Sequence, residues 1–380
     1  MRFAIDAHAI GRHLTGNEVY VRNLLGGFKA LDHESDFVTY FSAEDAWQYA
    51  TPRFHARQVS PNPFLRLGVQ LAMMLRQDRP DLLHVQYTAP LACPVPVVVS
   101  VHDVSFLVHP EYFPKLRAWQ LRLTVERTIR SAARILTVSD FSRDAIIEAY
   151  GEACARKIAV VPNAAAGGFR PTSREGAVAA VRARLGLAKP FILSVGDLQP
   201  RKNHIGLIAA FAELVRAYPQ LTHDLVLAGK DTWFSLKVRE AARQSGVADR
   251  IHFVGYVPDE DLLHLYNACD LSVFPSFYEG FGLPVLEAMA CGRAVACSSA
   301  SAIPEVADSA AIMFDPYSAG EMVRAMADLL RDAELRARME RLGLQRASRF
   351  SWRTAARQTL EVYRDVAERH RAATREFVHR

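Results

Sequence analysis

Twice along its 380 residues the chain runs through short apolar segments separated by amphipathic ones, and a turn-rich break divides the two series. In the first series, residues 2–7, 37–41, 82–85, 95–101, 135–138 and 158–161 are short runs rich in β-branched and aromatic residues. Pro, Asp or Asn bounds most of them, and helical patterns lie between several. Residues 17–31, with Val21, Leu24, Leu25 and Phe28 at helical spacing, are the clearest of these. In the second series, the apolar runs are 191–195, 224–228, 251–254, 271–274, 294–297 and 311–314. Helical patterns at 204–218 and 259–268 separate some of them. Alternation of this kind predicts a parallel sheet covered by helices, once in each half. The segment PNAAAGGFRP, residues 162–171, is small, turn-rich and without period, and reads as a linker.

The totals limit what such a chain can do. It is long enough for two domains of medium size. Half of its residues are hydrophobic and 23% are charged, a soluble globular profile. Its longest purely apolar runs, such as 95–99, are too short to cross a bilayer. Asp6 interrupts the start before any signal-peptide core can form, so a cytoplasmic protein is expected. The five cysteines, Cys93, Cys154, Cys269, Cys291 and Cys297, are scattered with no CxxC pair and read as reduced thiols. A formal net charge of +5 suits anionic ligands or an anionic membrane surface, and no motif supports nucleic-acid binding.

Glycines and polar residues collect after successive apolar runs of the second half. Gly196 to Lys202 follows the first, Gly229 and Lys230 the second, Gly255 the third, and residues 275–282 the fourth. The carboxyl ends of strands form the ligand crevice of an open parallel sheet, and these loops would line one edge of it. Arg201-Lys202 is the adjacent basic pair in those loops, just before a helix that starts near Asn203, a setting that suits a phosphate. No GxxxxGK[ST] and no GxGxxG is present, which argues against a P-loop NTPase or a typical dinucleotide dehydrogenase.

The run YEGFGLPVLEAMACG, residues 278–292, places Glu279 and Glu287 eight positions apart around a glycine-punctuated apolar segment. Pro284 predicts a helix start, ending near Cys291 with Gly292 as its stop. Gly280 and Gly282 let the backbone before that helix approach a ligand. Glu287, one turn inside, is placed to accept two hydroxyl hydrogen bonds, as from a ribose. The two acids therefore read as marking two ends of one bound molecule rather than as a catalytic pair.

That segment also resembles the retaining glycosyltransferases of family four, through their two glutamates separated by seven residues. SVGDLQPRKN, VHDVSFLVHPEYF, VSDFSRDAI, FVGYVPDEDLLHLYNACDLSVFPS, TGNEVYVRNLL and FSWRTAARQTLEVYRDV are similar to the same family, over nearly the entire chain. The resemblance implies a GT-B fold: two doubly wound, Rossmann-like parallel-sheet domains facing a central cleft. Residues 1–165 would form the acceptor-side domain, 172–350 the nucleotide-sugar domain, and 351–380 a closing helix that returns to the first. Glu287 would bind the donor ribose, while Glu279, Phe281, Gly282 and Leu283 would face the transferred sugar. Arg201 and Lys202 would neutralise the diphosphate. His102 would lie at the reaction centre, from the other domain, and Gly16 would approach the donor phosphates. Gly196, Gly229, Lys230, Val254 and Gly280 complete the expected donor site.

The chain departs from the family at two places. Glu18 and Val19 stand where many members have a second glycine and an arginine, and Asp197 stands where many have arginine. The resemblance implies transfer with retention from a nucleotide-diphosphate sugar, GDP-mannose favoured and a UDP-sugar open. The acceptor would be a glycan, a lipid-linked saccharide or a small molecule. No cofactor and no metal is expected, because Asp259-Glu260-Asp261 reads as a helix-opening acidic turn. His84 and His252 read as structural histidines. The basic segment with Lys115, Arg117, Arg122, Arg127, Arg130 and Arg134, carrying Trp119 and Leu123, is a solvated helix or a peripheral contact with the inner face of a membrane. The Arg-rich end, residues 331–380, is helical in pattern with a solvated charged face. Two other functions fit the architecture. A non-catalytic nucleotide-sugar binder is opposed by the intact His102 and Glu279, and a nucleotide-sugar 2-epimerase by the paired glutamates.

Overall fold

The structure, a computed structural model, describes residues 1–12, 15–43 and 50–378; the last two positions of the Arg-rich end lie outside the described residues. Its backbone contacts divide into two compact units, Met1–Asn163 with Ser351–Arg380, and Ala164–Phe350.

The first unit holds a sheet of seven strands: β1 (Arg2–Asp6), β2 (Asp36–Phe41), β3 (Phe54–Gln58), β4 (Leu82–Gln86), β5 (Val97–Ser100), β6 (Arg134–Thr137) and β7 (Ile158–Val160). Their order is β3-β2-β1-β4-β5-β6-β7 and every pairing is parallel. The inner strands are apolar on both faces because helices cover both. Ala4, Val38, Leu83, Val85 and Val99 belong to the core on one side, which also takes Val125 and Ile129 of the helix Lys115–Ser131.

On the other side Phe28 stacks on Phe37 at 5.4 Å, and Phe3 meets Tyr363 edge-on at 5.1 Å. Tyr363 belongs to the closing helix Trp352–Val378, which packs along the helix Thr15–Leu31. The approach is close: a Cβ on Gly27 would stand 2.5 Å from that of Ala356. Tyr363 also hydrogen-bonds His84 Nδ1 at 2.5 Å, and His84 Nε2 meets Ser100 Oγ at 2.7 Å. His84 is thus a buried, fully partnered structural histidine, and burial holds its pKa down at about 3.

The second unit holds six strands: β8 (Phe191–Val195), β9 (Asp224–Ala228), β10 (Ile251–Gly255), β11 (Leu271–Phe274), β12 (Val295–Ser298) and β13 (Ile312–Phe314). Their order is β10-β9-β8-β11-β12-β13, again all parallel. One core gathers Leu207 and Phe211 of the helix His204–Ala217 with Met322, Met326 and Leu329 of the helix Ala319–Arg331. Both sheets are doubly wound, and strand order reverses between β1 and β4 in one and between β8 and β11 in the other.

Candidate active site

In the second unit, the reversal between β8 and β11 opens the crevice in which such sheets bind ligands. The loops leaving these strands carry Gly196–Asn203 and Pro275–Gly282, and they are fastened to each other. Asn203 adopts a left-handed conformation, φ +55°, and its Nδ2 donates to Pro275 O at 3.2 Å and to Pro316 O at 2.8 Å. Phe277 N–H donates to Arg201 O at 2.8 Å. Arg201 Nη1 reaches Tyr278 O at 3.2 Å.

Gly229 and Gly196 stand at this edge where neighbouring atoms come close. A Cβ on Gly229 would stand 2.0 Å from Gly196 O, and a Cβ on Gly196 would stand 3.2 Å from Lys202 Cδ. Gly196 N–H donates to Ala228 O and Gly229 N–H to Gly255 O, each at 2.8 Å. The ends of β8, β9 and β10 are thereby stitched together, with Val254 half-buried as the penultimate residue of β10. Asp197 accepts Lys230 N–H at 3.1 Å, and Lys230 Nζ lies 3.9 Å from its other carboxylate oxygen. The Asp197 carboxylate thus ties the β8 and β9 loops together.

Glu279, 6% exposed, sits between the two cations. Its Oε2 receives Arg201 Nη1 at 2.6 Å and its Oε1 lies 2.6 Å from Lys202 Nζ. Burial alone would raise its pKa, but the two positive charges overcome that and hold it at about 2. Lys202 is itself buried, its ammonium 4.8 Å from the Phe274 ring centroid. Burial lowers its pKa against the pull of Glu279.

Gly280, Phe281 and Gly282 follow, all buried. Gly282 takes φ +105° and a Cβ there would stand 2.7 Å from Ile303 Cδ1, so conformation and packing both require glycine. It caps the helix Leu283–Ala290, with Pro284 in the first turn and Cys291 and Gly292 after its end. Glu287, one turn in, is also 6% exposed. Its Oε2 accepts the Tyr266 hydroxyl at 2.9 Å. Burial, seconded by the negative charge of Asp259, raises its pKa to about 7 against that hydrogen bond and the charge of Lys202.

Asp259, Glu260 and Asp261 occupy the first turn of the helix Asp259–Ala268. Glu260 and Asp261 are both engaged by Arg184. His252 pairs with Asp224 at 2.8 Å.

In the first unit, His102 follows β5 and is partly buried. Its Nε2 lies 3.3 Å from Gln86 Oε1, and Tyr20 and Tyr87 flank its ring edge-on at 4.6 and 5.7 Å. Burial lowers its pKa to about 4 despite the neighbouring Asp103, so it is neutral near pH 7. Gly16 stands exposed at the start of the helix Thr15–Leu31, where a Cβ would meet open space. Glu18 is turned into the unit: it is buried, accepts Gly11 N–H at 3.1 Å and pairs with Arg22. It braces the loop after β1, as Asp197 braces the loop after β8.

Sequence reasoning missed Tyr266, Asn203 and Tyr20, whose roles depend on partners 21 to 113 residues away. The motif letters around them held a hint only for Asn203, as a helix-capping residue type.

Two doubly wound parallel sheets, with paired acids and a basic pair at the carboxyl edge of the second, make a GT-B architecture. Residues 178–346 match the family of glycosyl transferases group 1, and residues 14–165 match glycosyltransferase family 4. The chain is 34% identical over 267 residues to the O-antigen chain mannosyltransferase B of Escherichia coli, covering 70% of each chain. Among solved structures, sucrose-phosphate synthase from Thermosynechococcus elongatus superposes with a TM-score of 0.76 at 20% identity, over 96% of this chain and 99% of that one. Anabaena Alr3699/HepE, solved in complex with UDP-glucose, gives 0.75 at 21% identity, over 96% and 99%. The chain belongs to glycosyltransferase family 4.

Proposed function

We propose that the chain transfers mannose, with retention, from GDP-mannose to a saccharide acceptor carried on a chain or a lipid. The observation that carries this reading is the cation pair Arg201–Lys202 closed on the buried Glu279 at the strand-order reversal, one short helix away from Glu287. Arg201 and Lys202 take the diphosphate and stabilise the charge that develops on it as the glycosidic bond breaks. The N-terminus of the helix Leu283–Ala290 adds to that field. Glu287 takes the ribose. Glu279, Phe281, Gly282 and Leu283 face the sugar.

Glu279 is a weak candidate for a nucleophile, since two cations share its carboxylate and depress its basicity. That favours substitution on the same face, in which the departing phosphate helps take the acceptor proton. His102, neutral near pH 7, is assigned to the acceptor and Gly16 to the donor phosphates. Engagement of Glu260 and Asp261 by Arg184 favours a reaction without a divalent metal. Mannose is favoured by the name of the Escherichia coli relative, which also favours a polysaccharide acceptor; the UDP-glucose complex of the Anabaena protein keeps a UDP-sugar as the second donor to try.

The helix Lys115–Ser131 exposes Leu116, Trp119 and Leu123 among exposed Lys115, Arg117, Arg122 and Arg130. This composition suits an anionic bilayer surface on the inner side of a membrane. Among the described residues no helix is long and apolar enough to cross one.

The test is a transfer assay with GDP-mannose and a mannose-terminated acceptor in EDTA, with the product anomer read by NMR. An α-linked product at full rate is expected. A β-linked product, or activity that vanishes in EDTA and returns with Mn²⁺, contradicts the proposal.

A further inference from the structure

Glu279 stands where a ligand's anion would otherwise stand. Each of its oxygens lies 2.6 Å from a cation, Oε2 from Arg201 Nη1 and Oε1 from Lys202 Nζ. The backbones beneath are fixed independently of these contacts. Glu279 N–H donates to Ser301 Oγ at 2.9 Å, its carbonyl accepts Ala302 N–H at 3.3 Å, and Phe277 N–H holds Arg201 O at 2.8 Å. Lys202 keeps its place over the Phe274 ring, with its stem against Gly196. The side chains can therefore exchange partners while the loops stay in position.

A diphosphate offers these cations what the carboxylate offers, two negatively charged oxygen acceptors, so the two anions compete for one seat. Resting on the reading of Arg201 and Lys202 as diphosphate ligands, we infer that Glu279 makes the site discriminate between the intact nucleotide-diphosphate sugar and the nucleoside diphosphate left after transfer. When the bare diphosphate binds, it draws the cations off Glu279 and leaves a buried carboxylate without partners, which is costly. When the intact donor binds, hydroxyls of its sugar donate to the released carboxylate and that cost is removed. The product thus binds against an internal competitor that the substrate recruits as a ligand. Selectivity here comes from a penalty on the wrong ligand, and its consequence is easier product release.

Calorimetric titration of wild type, E279Q and K202A with GDP, GDP-mannose and inorganic pyrophosphate tests this. E279Q is expected to bind GDP and pyrophosphate at least tenfold more tightly than wild type. GDP-mannose should bind no more tightly than to wild type, so the ratio of the GDP to the GDP-mannose Kd falls at least tenfold. K202A is expected to lose affinity for all three. Unchanged or weaker GDP and pyrophosphate binding in E279Q, alongside the loss in K202A, overturns the inference and leaves the diphosphate reading standing. Wild-type binding by a folded K202A instead removes the diphosphate reading itself. E279D carries the test if E279Q does not fold, because its shorter arm cannot span both cations. It should shift the ratio the same way by a smaller factor, and an unchanged ratio there also overturns the inference.

Discussion

Glu279 and Glu287 are eight positions apart, equally buried and within reach of the same lysine charge, yet their carboxyls are driven in opposite directions. Glu279 lies in a loop that folds back onto Arg201 and Lys202, and it is held ionised at about 2. Glu287 lies inside a helix facing Tyr266, with Asp259 adding negative charge, and it is pushed up to about 7. Burial is the same for both; what differs is whether a counter-charge has been brought along. The loop end of the segment balances charge, which suits the diphosphate proposed for it. The helix end exchanges hydrogen bonds, which suits the proposed ribose.

The largest effect expected from breaking this contrast is at Lys202. Lys202→Ala removes one partner of a buried charge pair, a change that typically costs about 2–5 kcal/mol. Nucleoside diphosphate affinity should fall accordingly, measured by calorimetry on protein verified as folded. Next is Glu287→Gln, which removes a hydrogen-bond acceptor able to become ionised, worth about 1.5–3 kcal/mol. KM for donor should rise with kcat little changed, the signature of an interaction made equally in ground and transition states. Steady-state kinetics decide, and a fall in kcat at constant KM would move Glu287 to the reacting end.

A smaller contrast lies in stability against pH. The folded pKa of Glu279 is depressed, so its contribution is present above the ordinary 4.5 and is lost as pH falls from there towards about 2. The folded pKa of Glu287 is raised, so the native state holds the extra proton between 4.5 and about 7 and its burial costs stability as pH rises through that window. Melting curves of the two Gln variants should therefore separate at pH 8. Glu287→Gln should melt above wild type there and Glu279→Gln below it; identical shifts would erase the contrast. The smallest effect is at Tyr266. Tyr266→Phe removes the donor to Glu287 Oε2, raises that pKa further and should weaken nucleoside diphosphate binding near pH 7 by about 1 kcal/mol. An unchanged affinity would make the hydroxyl a packing partner only.

Much of this is legible in the sequence. The strand runs of the second half, such as 191–195, 224–228 and 271–274, coincide with β8, β9 and β11, because inner parallel strands must be apolar on both faces. The helix Leu283–Ala290 follows from Pro284 and Gly292. β3 was not legible: Phe54–Gln58 is an edge strand whose alternation rests on only two buried residues, Phe54 and Ala56, and holds no β-branched residue. The cage around Glu279 was invisible for a different reason. It joins residues 77 and 78 positions apart, and only the fold brings them together. For that reason the sequence suggested a carboxylate facing sugar alone, where the structure has one already holding the two cations. Glu18 and Asp197 stood out in the sequence only as departures from a family pattern; in the structure each accepts a backbone N–H of a strand-end loop.

We read the carboxyl edge of β8–β11 as the seat of a nucleotide-diphosphate sugar, with Glu287 at its nucleoside end. Thermal unfolding of wild type and Glu287→Gln against a panel of nucleotide sugars, GDP-mannose first, addresses it most directly. A donor at about 100 times its Kd should stabilise wild type by roughly 2.7 kcal/mol, with most of that stabilisation lost in Glu287→Gln at the same concentration. No shift in wild type with any member of the panel, or an equal shift in the variant, would contradict the account.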